Sequence, residues 1–419
     1  MFTELDRAIA QHTEAAFGFL EDLVSAPSVV GTEQGALEVL AAEFTSLGLE
    51  VERIPFDSRP LDHPLAGAHQ QLSDASARFQ VVGRTPGQGQ LSLLLNGHMD
   101  VVPAESPGLW TTPPFTPSRR NGRMYGRGTG DMKGGFAIGV LALRALRDVA
   151  PELFATKRLG FIAVIEEECT GNGALQSALG GVLADEVVLL EPTDNGIMVG
   201  GVGVLWVDID VIGASSHAHT AHLSANAVEL GMRIVHALRN WGAGLYITDP
   251  DPELREADGP YNLNIGKVRS GDWTSTVPVI AAFSLRLGFP RSWSPARAEN
   301  EVREVVRAAA AADPDFPQQP RVQSSGLRAV GYSIARDHSL VKALSAAHRD
   351  AHGHDPEVFS LGSTTDARTY VNAFDTPAIC FGAVAHNIHG VDESVELQSI
   401  IDGAKTLSRF LLARFDGTD

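Results

Sequence analysis

Apolar positions along the chain follow two alternating periodicities, which predicts a succession of helices and strands. Phe17, Leu20 and Val24 share a face at three- and four-residue spacing, which indicates a helix over residues 13–25. Further helices are predicted over 33–47, ended by Gly48, and over 132–149. Leu91 to Leu95 are apolar throughout, as expected of a strand that is covered on both faces. Further strands are predicted near 49–54 and in FQVVGR, LGFIAVIEEE, EVVLLEP and TPAICFGA. This alternation predicts an α/β fold with helices on both faces of a sheet.

The pattern changes near residue 200, where half-exposed strands replace buried ones. VLWVDIDVIGA alternates apolar and polar residues, as a strand with one solvated face does. A helix, two strands, a second helix and a last strand follow, which is the β-α-β-β-α-β order of a ferredoxin-like unit. We therefore predict an inserted α+β domain at 200–324 and a discontinuous domain made of 1–199 and 325–419. A length of 419 residues agrees with two hydrophobic cores.

Composition changes this picture mainly by exclusion. The formal net charge of −18 disfavours nonspecific binding to nucleic acid or to an anionic membrane. No apolar run reaches the roughly 18 residues of a membrane span, and the first residues lack the pattern of a signal peptide. Two cysteines, Cys169 and Cys380, provide no disulfide framework. These features predict a cytoplasmic protein.

Candidate metal ligands follow the predicted strands at the points where the strands end. His98 ends a buried strand in LLLNGHMDVVP, and the Asp100 carboxylate is placed to accept the other ring N–H of this histidine. Glu191 ends another buried strand in VVLLEPT. Asp131, in GRGTGDMKGG, precedes a predicted helix. Spacing alone leaves simpler roles open, namely a loop histidine beside a capping aspartate and an N-cap at residue 131.

Three successive acids and a histidine pair extend this set. Glu166, Glu167 and Glu168 leave the strand LGFIAVI, where carboxylates are costly unless a positive charge faces them or the strand end is solvated. One of them suits a metal ion and a neighbour suits a general base, but spacing leaves the three interchangeable. AHNIHGVDE supplies His386 and His389, of which one suffices as a ligand.

A ligand set of His, Asp, Glu, Glu and His suits two divalent ions about 3.5–4 Å apart, with one carboxylate bridging them. Zinc is the first choice for mixed imidazole and carboxylate ligands, with cobalt or manganese as substitutes. Arg286 interrupts an apolar run in AAFSLRLGF, which suits a substrate carboxylate, although an arginine on an exposed face fits the pattern equally well.

The motifs that carry these residues resemble those of one zinc-dependent family. It comprises acetylornithine deacetylase, succinyl-diaminopimelate desuccinylase, aminoacylase and bacterial glutamate carboxypeptidase. The resemblance spans nearly the whole chain. Five positions depart from it: Glu166 stands where the family has Asp, Thr170 and Ser224 where it has Gly, Ala221 where it has Pro, and Ser275 where it has Asn. The matching motifs lie at 98–103, 110–115, 125–135, 166–173, 191–193, 364–368 and 389–393.

The resemblance implies a mixed-sheet, zinc-aminopeptidase-like catalytic domain with an inserted ferredoxin-like lid and dimerisation domain. It selects Glu167 as general base and Glu168 and His389 as ligands. It also implies that Asp131 bridges the metals and precedes a cis peptide bond. The implied ligands of two zinc ions are His98, Asp131, Glu168, Glu191 and His389.

The resemblance also implies an activity and a set of substrate contacts. His217 would reach across a homodimer to stabilise the oxyanion in the partner's site, with Asp100 supporting catalysis. Arg286, Asn226 and Thr365 would lie near the substrate. The implied reaction is hydrolysis of the amide bond of an N-acyl amino acid or related small N-acyl compound by water that the metals activate.

Two alternatives stand beside this activity. The first is a carboxypeptidase or dipeptidase that cleaves a small peptide on the same scaffold. The predicted insert of roughly 125 residues resembles the smaller lid of deacylases more than the larger lid of many dipeptidases. The second is a non-catalytic binding relative, which would lack a ligand or the base, whereas none is missing here.

Overall fold

The structure, a computed structural model, describes residues 1–57, 59, 61–69, 78–254 and 259–416. The Pro, Gly, His and Ser residues at 57–75 predict a loop, and part of that segment lies outside the described residues. The helices are α1 Phe2–Ser25, α2 Gln34–Ser46, α3 Gly134–Val149, α4 Pro151–Thr156, α5 Asn172–Leu179, α6 Ala227–Thr248, α7 Pro295–Ala311, α8 Ser339–His352, α9 Ala367–Phe374 and α10 Leu397–Asp416.

The strands alternate with these helices through most of the chain. They are β1 Glu50–Pro55, β2 Phe79–Arg84, β3 Leu91–His98, β4 Ser118–Arg120, β5 Arg123–Tyr125, β6 Leu159–Val164, β7 Ala184–Leu189, β8 Ile197–Gly201, β9 Gly203–Ile212, β10 Leu263–Ser270, β11 Ile280–Phe289, β12 Arg321–Ala329, β13 Tyr332–Ser333, β14 Val358–Leu361, β15 Ala378–Cys380, β16 Ala385–His386 and β17 Ser394–Glu396.

The main sheet is mixed. Within the described ranges its strands follow the order β1-β2-β6-β3-β7-β15-β8-β13, and β14 pairs with β8. β3 lies parallel to both of its neighbours, β6 and β7. β1 pairs with β2, and β2 with β6, in antiparallel register. The prediction of a mixed α/β fold is confirmed.

Cover on both faces explains the continuous apolar runs. In β3, Leu93 and Leu95 face a core built with α1, α2, α3, α8 and α10. Leu94, between them, faces a second core built with α5 and α9. All three side chains are fully buried, because successive residues of a strand point to opposite faces.

A separate four-stranded antiparallel sheet has the order β10-β11-β9-β12. Helices α6 and α7 share with it an apolar core of its own, to which β9 contributes alternate residues such as Val207 and Ile209. The order β9-α6-β10-β11-α7-β12 follows the predicted succession of elements. The domain boundaries at 200 and 324 and the lid function stay predictions.

Two features differ from the sequence-based expectation. α1 begins at Phe2 instead of near residue 13, because Leu5 and Ile9 continue its buried stripe. The Gly- and Pro-rich segment 97–131 predicts one long loop, whereas in the structure it contains β4 and β5, which join β16 and β17 in a third sheet. Strands of two or three residues carry too few positions to show a periodicity.

In the described part of the chain, no helix is both long enough and apolar enough to cross a membrane.

Candidate metal centre

Three neighbouring parallel strands end at one edge of the main sheet and carry candidate ligands there. His98 is the last residue of β3, Glu168 follows β6, and Glu191 follows β7. Because these strands run in the same direction, their carboxyl ends meet at the same edge, which is where α/β sheets place ligands. Asp131 lies in the segment Thr129–Lys133 that precedes α3, where its own backbone is not helical, and His389 lies between β16 and β17.

Asp131 lies between the two histidines. Its Oδ1 is 3.0 Å from His98 Nε2, and its Oδ2 is 3.3 Å from His389 Nε2. Glu191 Oε2 lies 3.8 Å from His98 Nε2, while Glu168 Oε1 lies 3.1 Å from His389 Nε2. The structure thus brings the predicted ligands together as two sets of three that share Asp131.

The charges in this cluster fit a cation. Burial, reinforced by neighbouring carboxylates, raises the pKa of Glu191 to about 8 and that of Glu167 well above its usual value. Asp366, buried beside them, accepts no hydrogen bond at either carboxylate oxygen from the described residues, and Arg368 Nη2 lies 3.5 Å from its Oδ1. Buried carboxylates without compensating charge are costly. Single ligand atoms of His98, Asp131 and Glu168 lie within 4.8 Å of one another, which suits a divalent ion with nitrogen and oxygen ligands.

The histidines respond to the same excess of negative charge. Although burial opposes it, hydrogen bonds with Asp131 and Glu168 raise the pKa of His389 to about 11. Glu191 and Asp131 likewise raise the pKa of His98 against the effect of its burial. The carboxylates around these two rings thus form a negatively charged pocket that suits a cation. The residues present therefore fit the implied metals.

Asp100 supports the site differently from the expectation. The Nδ1 of His98 is 2.8 Å from the main-chain oxygen of Asp100, whereas the closest carboxylate oxygen is 3.8 Å away. That carboxylate accepts instead from the backbone N–H groups of Glu167 and Glu168, at 3.3 and 3.0 Å. Asp100 therefore orients His98 through its main chain and the turn that carries Glu167 through its side chain.

Glu393 holds the loop that carries Asp131. Its carboxylate, 1% exposed, accepts from the backbone N–H groups of Gly128, Gly130 and Asp131 at 3.0, 2.9 and 3.0 Å. Arg127 Nη1 donates to it as well, at 2.6 Å. The peptide bond after Asp131 is cis, as the resemblance implied. Glu393 belongs to the motif at 389–393, but the sequence shows no sign of its role, because its partners lie more than 260 residues away in the chain.

The three successive acids have different surroundings. Glu166 turns away from the ligands and pairs with the buried Arg78 and with the hydroxyl of Thr170. Glu167 and Glu168 point to the site, where Glu167 Oε1 is 3.9 Å from Arg368 Nη1. The roles of Glu167 as general base and Glu168 as metal ligand stay predictions.

Other predicted site residues are not joined to the ligands within one chain. His386 Nε2 is bonded to Glu396 at 2.8 Å. His217 is exposed, and its Nδ1 accepts from the N–H of His219 at 3.2 Å. Asn226 caps α6, its Oδ1 accepting from Val228 at 3.0 Å. Their roles stay predictions.

Thr365 and Arg286 lie near one segment, 362–366. The Thr365 hydroxyl is buried and lies 3.0 Å from the hydroxyl of Tyr332. Arg286 donates to Asn262 Oδ1 at 2.7 Å and to the Gly362 carbonyl at 3.3 Å. Burial lowers the pKa of Arg286, which forms no ion pair with any residue of the described ranges. A largely buried cation without a carboxylate partner suits an anionic group of a substrate.

Comparison with known proteins agrees with this geometry. The model of peptidase family M20/M25/M40 matches residues 94–413. The succinyl-diaminopimelate desuccinylase of Methylobacterium sp. (strain 4-46) is 29% identical over 415 residues, which cover 96% of this chain and 97% of that protein.

Solved structures show the same fold. Human carnosine dipeptidase 1 matches with a TM-score of 0.80 at 16% identity, over 99% of this chain and 100% of that one. A dinuclear metal binding peptidase from Bacillus subtilis matches with a TM-score of 0.62 at 12% identity, over 97% and 99% of the two chains. Because the family model covers most of its length, the chain belongs to peptidase family M20/M25/M40 and is a metal-dependent hydrolase of linear amide bonds.

Proposed function

We propose that the protein is a di-zinc deacylase that hydrolyses the amide bond of an N-acyl amino acid. The observation that carries this proposal is the position of Asp131, whose two carboxylate oxygens face different histidines, each with a glutamate beside it. Two zinc ions held by these residues would lower the pKa of a water molecule and polarise the scissile carbonyl. Cobalt or manganese would serve as substitutes.

Glu167 is our candidate for the proton transfers. It leaves β6 next to the ligand Glu168, and its turn is fixed by the Asp100 carboxylate. Burial favours the protonated form of Glu167, so this carboxylate holds a proton readily once it has taken one from the attacking water. It would then return that proton to the leaving amine, as a general base that becomes a general acid does.

Arg286 and the desuccinylase relative support an N-acyl amino acid as substrate. The guanidinium keeps N–H groups without a carboxylate partner in the described chain, and it contacts the carbonyl of Gly362, four residues before the buried Asp366. A substrate carboxylate would supply the missing anion. The relative that is 29% identical along nearly the whole chain is named for removal of a succinyl group, whereas similarity to the dipeptidase structure, at 16% identity, extends to the fold alone.

Replacement of the base tests the mechanism. We expect Glu167→Gln to lower kcat about 100-fold or more, the usual contribution of general acid–base catalysis, while the zinc content stays near that of the parent. Metal analysis and turnover are measured on the same preparation. Glu38→Gln, which removes an exposed partner of Arg53, is the matched control and should keep full activity. Unchanged turnover in Glu167→Gln would reject the assignment.

A substrate panel separates the deacylase from the peptidase. The zinc-loaded enzyme is assayed against N-succinyl and N-acetyl amino acids and against dipeptides, with a chelator-treated sample as control. We expect N-acyl amino acids to give the highest kcat/KM and the chelator to abolish turnover. Higher kcat/KM for dipeptides would favour the peptidase alternative instead.

We further propose that the active enzyme is a homodimer in which His217 acts in the partner's site. Within one chain the exposed His217 forms no hydrogen bond with any of the described metal-ligand residues, which supports a role in the site of a partner subunit. His217→Ala and Glu167→Gln homodimers should each be inactive. If subunits exchange at random, half of the dimers are mixed and one of their two sites is complete, so about a quarter of the parent activity should return. No recovery in verified mixed dimers would reject action in trans.

A further inference from the structure

A second group of histidines lies beside the turn between β7 and β8, at residues 193–196. His348 and His352 are one turn apart on α8 and therefore share a face of that helix. Gly353 ends the helix with φ 81°, and the chain turns so that His354 returns to the same place. The ring centroid of His348 lies 4.5 Å from that of His352 and 5.1 Å from that of His354.

These rings line a cavity of about 260 Å³. The turn after β7 forms its opposite wall, through residues 193–196, and Asp402 of α10 forms part of its side. Two polar atoms at this cavity are buried without a hydrogen-bond partner among the described residues, Nε2 of His348 and Oδ1 of Asn195. His348 is only 4% exposed, so the missing bond is not supplied by bulk water. Leaving such a group unsatisfied costs about 1–3 kcal/mol.

The hydrogen bonds of the three rings determine which nitrogen of each keeps a lone pair. His352 Nε2 lies 3.2 Å from the carbonyl oxygen of Asp402, which can only accept, so this nitrogen carries the proton and Nδ1 keeps the lone pair. His354 Nδ1 lies 3.1 Å from the carbonyl oxygen of Asp355 and donates in the same way, which leaves Nε2 as the acceptor.

Thr406 completes the pattern for His348. Its hydroxyl oxygen lies 3.3 Å from the Asp402 carbonyl oxygen, 3.0 Å from His352 Nε2 and 3.3 Å from His348 Nδ1. With the hydroxyl proton directed at the Asp402 carbonyl, this oxygen accepts from both imidazole nitrogens. That assignment leaves the buried Nε2 of His348 as a lone pair. In each of the three imidazoles, one nitrogen therefore donates its N–H to a protein oxygen and the other nitrogen keeps a lone pair. Metal-binding histidines in proteins usually have this arrangement.

From this cavity, the unpartnered His348 Nε2 and the set of three lone pairs, we infer a second, auxiliary metal site, in which His348, His352 and His354 bind a divalent transition-metal ion such as zinc. Imidazole nitrogen selects such ions over magnesium or calcium, which prefer oxygen ligands. The ligand atoms of these three rings do not all lie within 4.8 Å of one another, so His352, which is half-buried, and His354, which is exposed, must shift to share an ion. Among the His, Cys, Asp and Glu side chains of the described residues, only His98, Asp131 and Glu168 already place three ligand atoms within 4.8 Å of one another.

The inferred role of this ion is structural. Thr193, in the cavity wall, donates to the carbonyl of Gly196 at 2.7 Å and accepts from the N–H of Gly382 at 2.8 Å. The same wall begins two residues after Glu191, so an ion in the cavity would join α8 to the turn that follows this ligand. It would add stability without entering the reaction.

Zinc stoichiometry of the full-length protein tests the site. Chelator-treated protein is equilibrated with zinc alone, and bound zinc is measured per chain. We expect His352→Gln/His354→Gln to bind about one zinc fewer than the parent while its kcat/KM, measured with the metal centre loaded, stays within twofold. His236→Gln, which removes an exposed histidine of α6, is the matched control and should bind as much zinc as the parent.

A variant of the buried ligand gives a second measurement. His348→Gln should lose the same zinc, and if this chain fails to fold, the double variant alone decides. Equal zinc binding by the parent and the double variant would overturn the inference. An equal loss of zinc in His236→Gln would also overturn it, because nonspecific binding to surface imidazoles would then explain the extra ion.

Discussion

Glu393→Gln tests whether the loop of the bridging aspartate is held by a single buried carboxylate. The Oε1 atom of Glu393 accepts from Gly130 and Asp131, and its Oε2 atom accepts from Gly128 and Arg127. Glutamine has the same shape but only one acceptor oxygen, and its amide nitrogen is a donor. Whichever way the amide is placed, its NH₂ group faces two N–H donors.

The magnitude follows from burial of both partners. Arg127 is 3% exposed and Glu393 is 1% exposed, so the guanidinium would be left as a buried charge without its carboxylate. Removing one member of such a pair costs about 3–5 kcal/mol. The backbone N–H group that loses its acceptor is affected by the same substitution, and the figure of about 3–5 kcal/mol includes it. Because the Asp131 N–H is one of the donors, zinc affinity should also fall about 10- to 100-fold.

Denaturant unfolding of the chelator-treated protein, at one fixed protein concentration, measures the first effect, and zinc titration measures the second. The matched control is Glu396→Gln, three residues on, which removes a half-exposed partner of Arg123, at 3.2 Å, and of His386, at 2.8 Å. That change should cost no more than about 1 kcal/mol. If Glu393→Gln unfolds within 1 kcal/mol of the control and binds zinc as the parent does, the loop is held by other contacts and the reasoning is wrong.

Two further predictions concern the substrate and the packing. Arg286→Met should lower kcat/KM for N-acyl amino acids about 10- to 100-fold, mainly through KM, because a charged hydrogen bond contributes about 1.5–3 kcal/mol. The variant should cleave N-acyl amino amides, which lack the carboxylate, as fast as the parent does. An equal loss of kcat/KM on both substrates would count against a carboxylate contact. Gly135→Ala should lower the melting temperature, since its Cβ would lie 2.0 Å from the Leu190 carbonyl oxygen and would push α3 away from the end of β7. Gly18→Ala in α1, whose Cβ would have nothing within 4 Å, should be neutral or stabilising by up to about 1 kcal/mol, and equal melting temperatures for the two variants would contradict the packing argument.

Much of the local structure could be predicted from the sequence. The continuous apolar runs located β3 and β6, because a strand that is covered on both faces needs apolar residues at successive positions. The same reasoning placed the candidate ligands at strand ends, since a carboxylate or histidine that follows an apolar run stands out locally. Choosing among Glu166, Glu167 and Glu168 required family resemblance, because adjacent residues share one local pattern. The structure shows the physical difference, which is the pairing of Glu166 with Arg78.

The sequence by itself determined the types of element, their order along the chain and the kinds of ligand that a metal centre needs. Only the tertiary structure decided that β3 lies between β6 and β7, which brings His98, Glu168 and Glu191 to one edge. It also decided that Glu393 holds the Asp131 loop and that Thr406 orients two histidines of α8. Periodicity reports how each side chain faces its own element, whereas these contacts join residues far apart in the chain and depend on how separate elements pack.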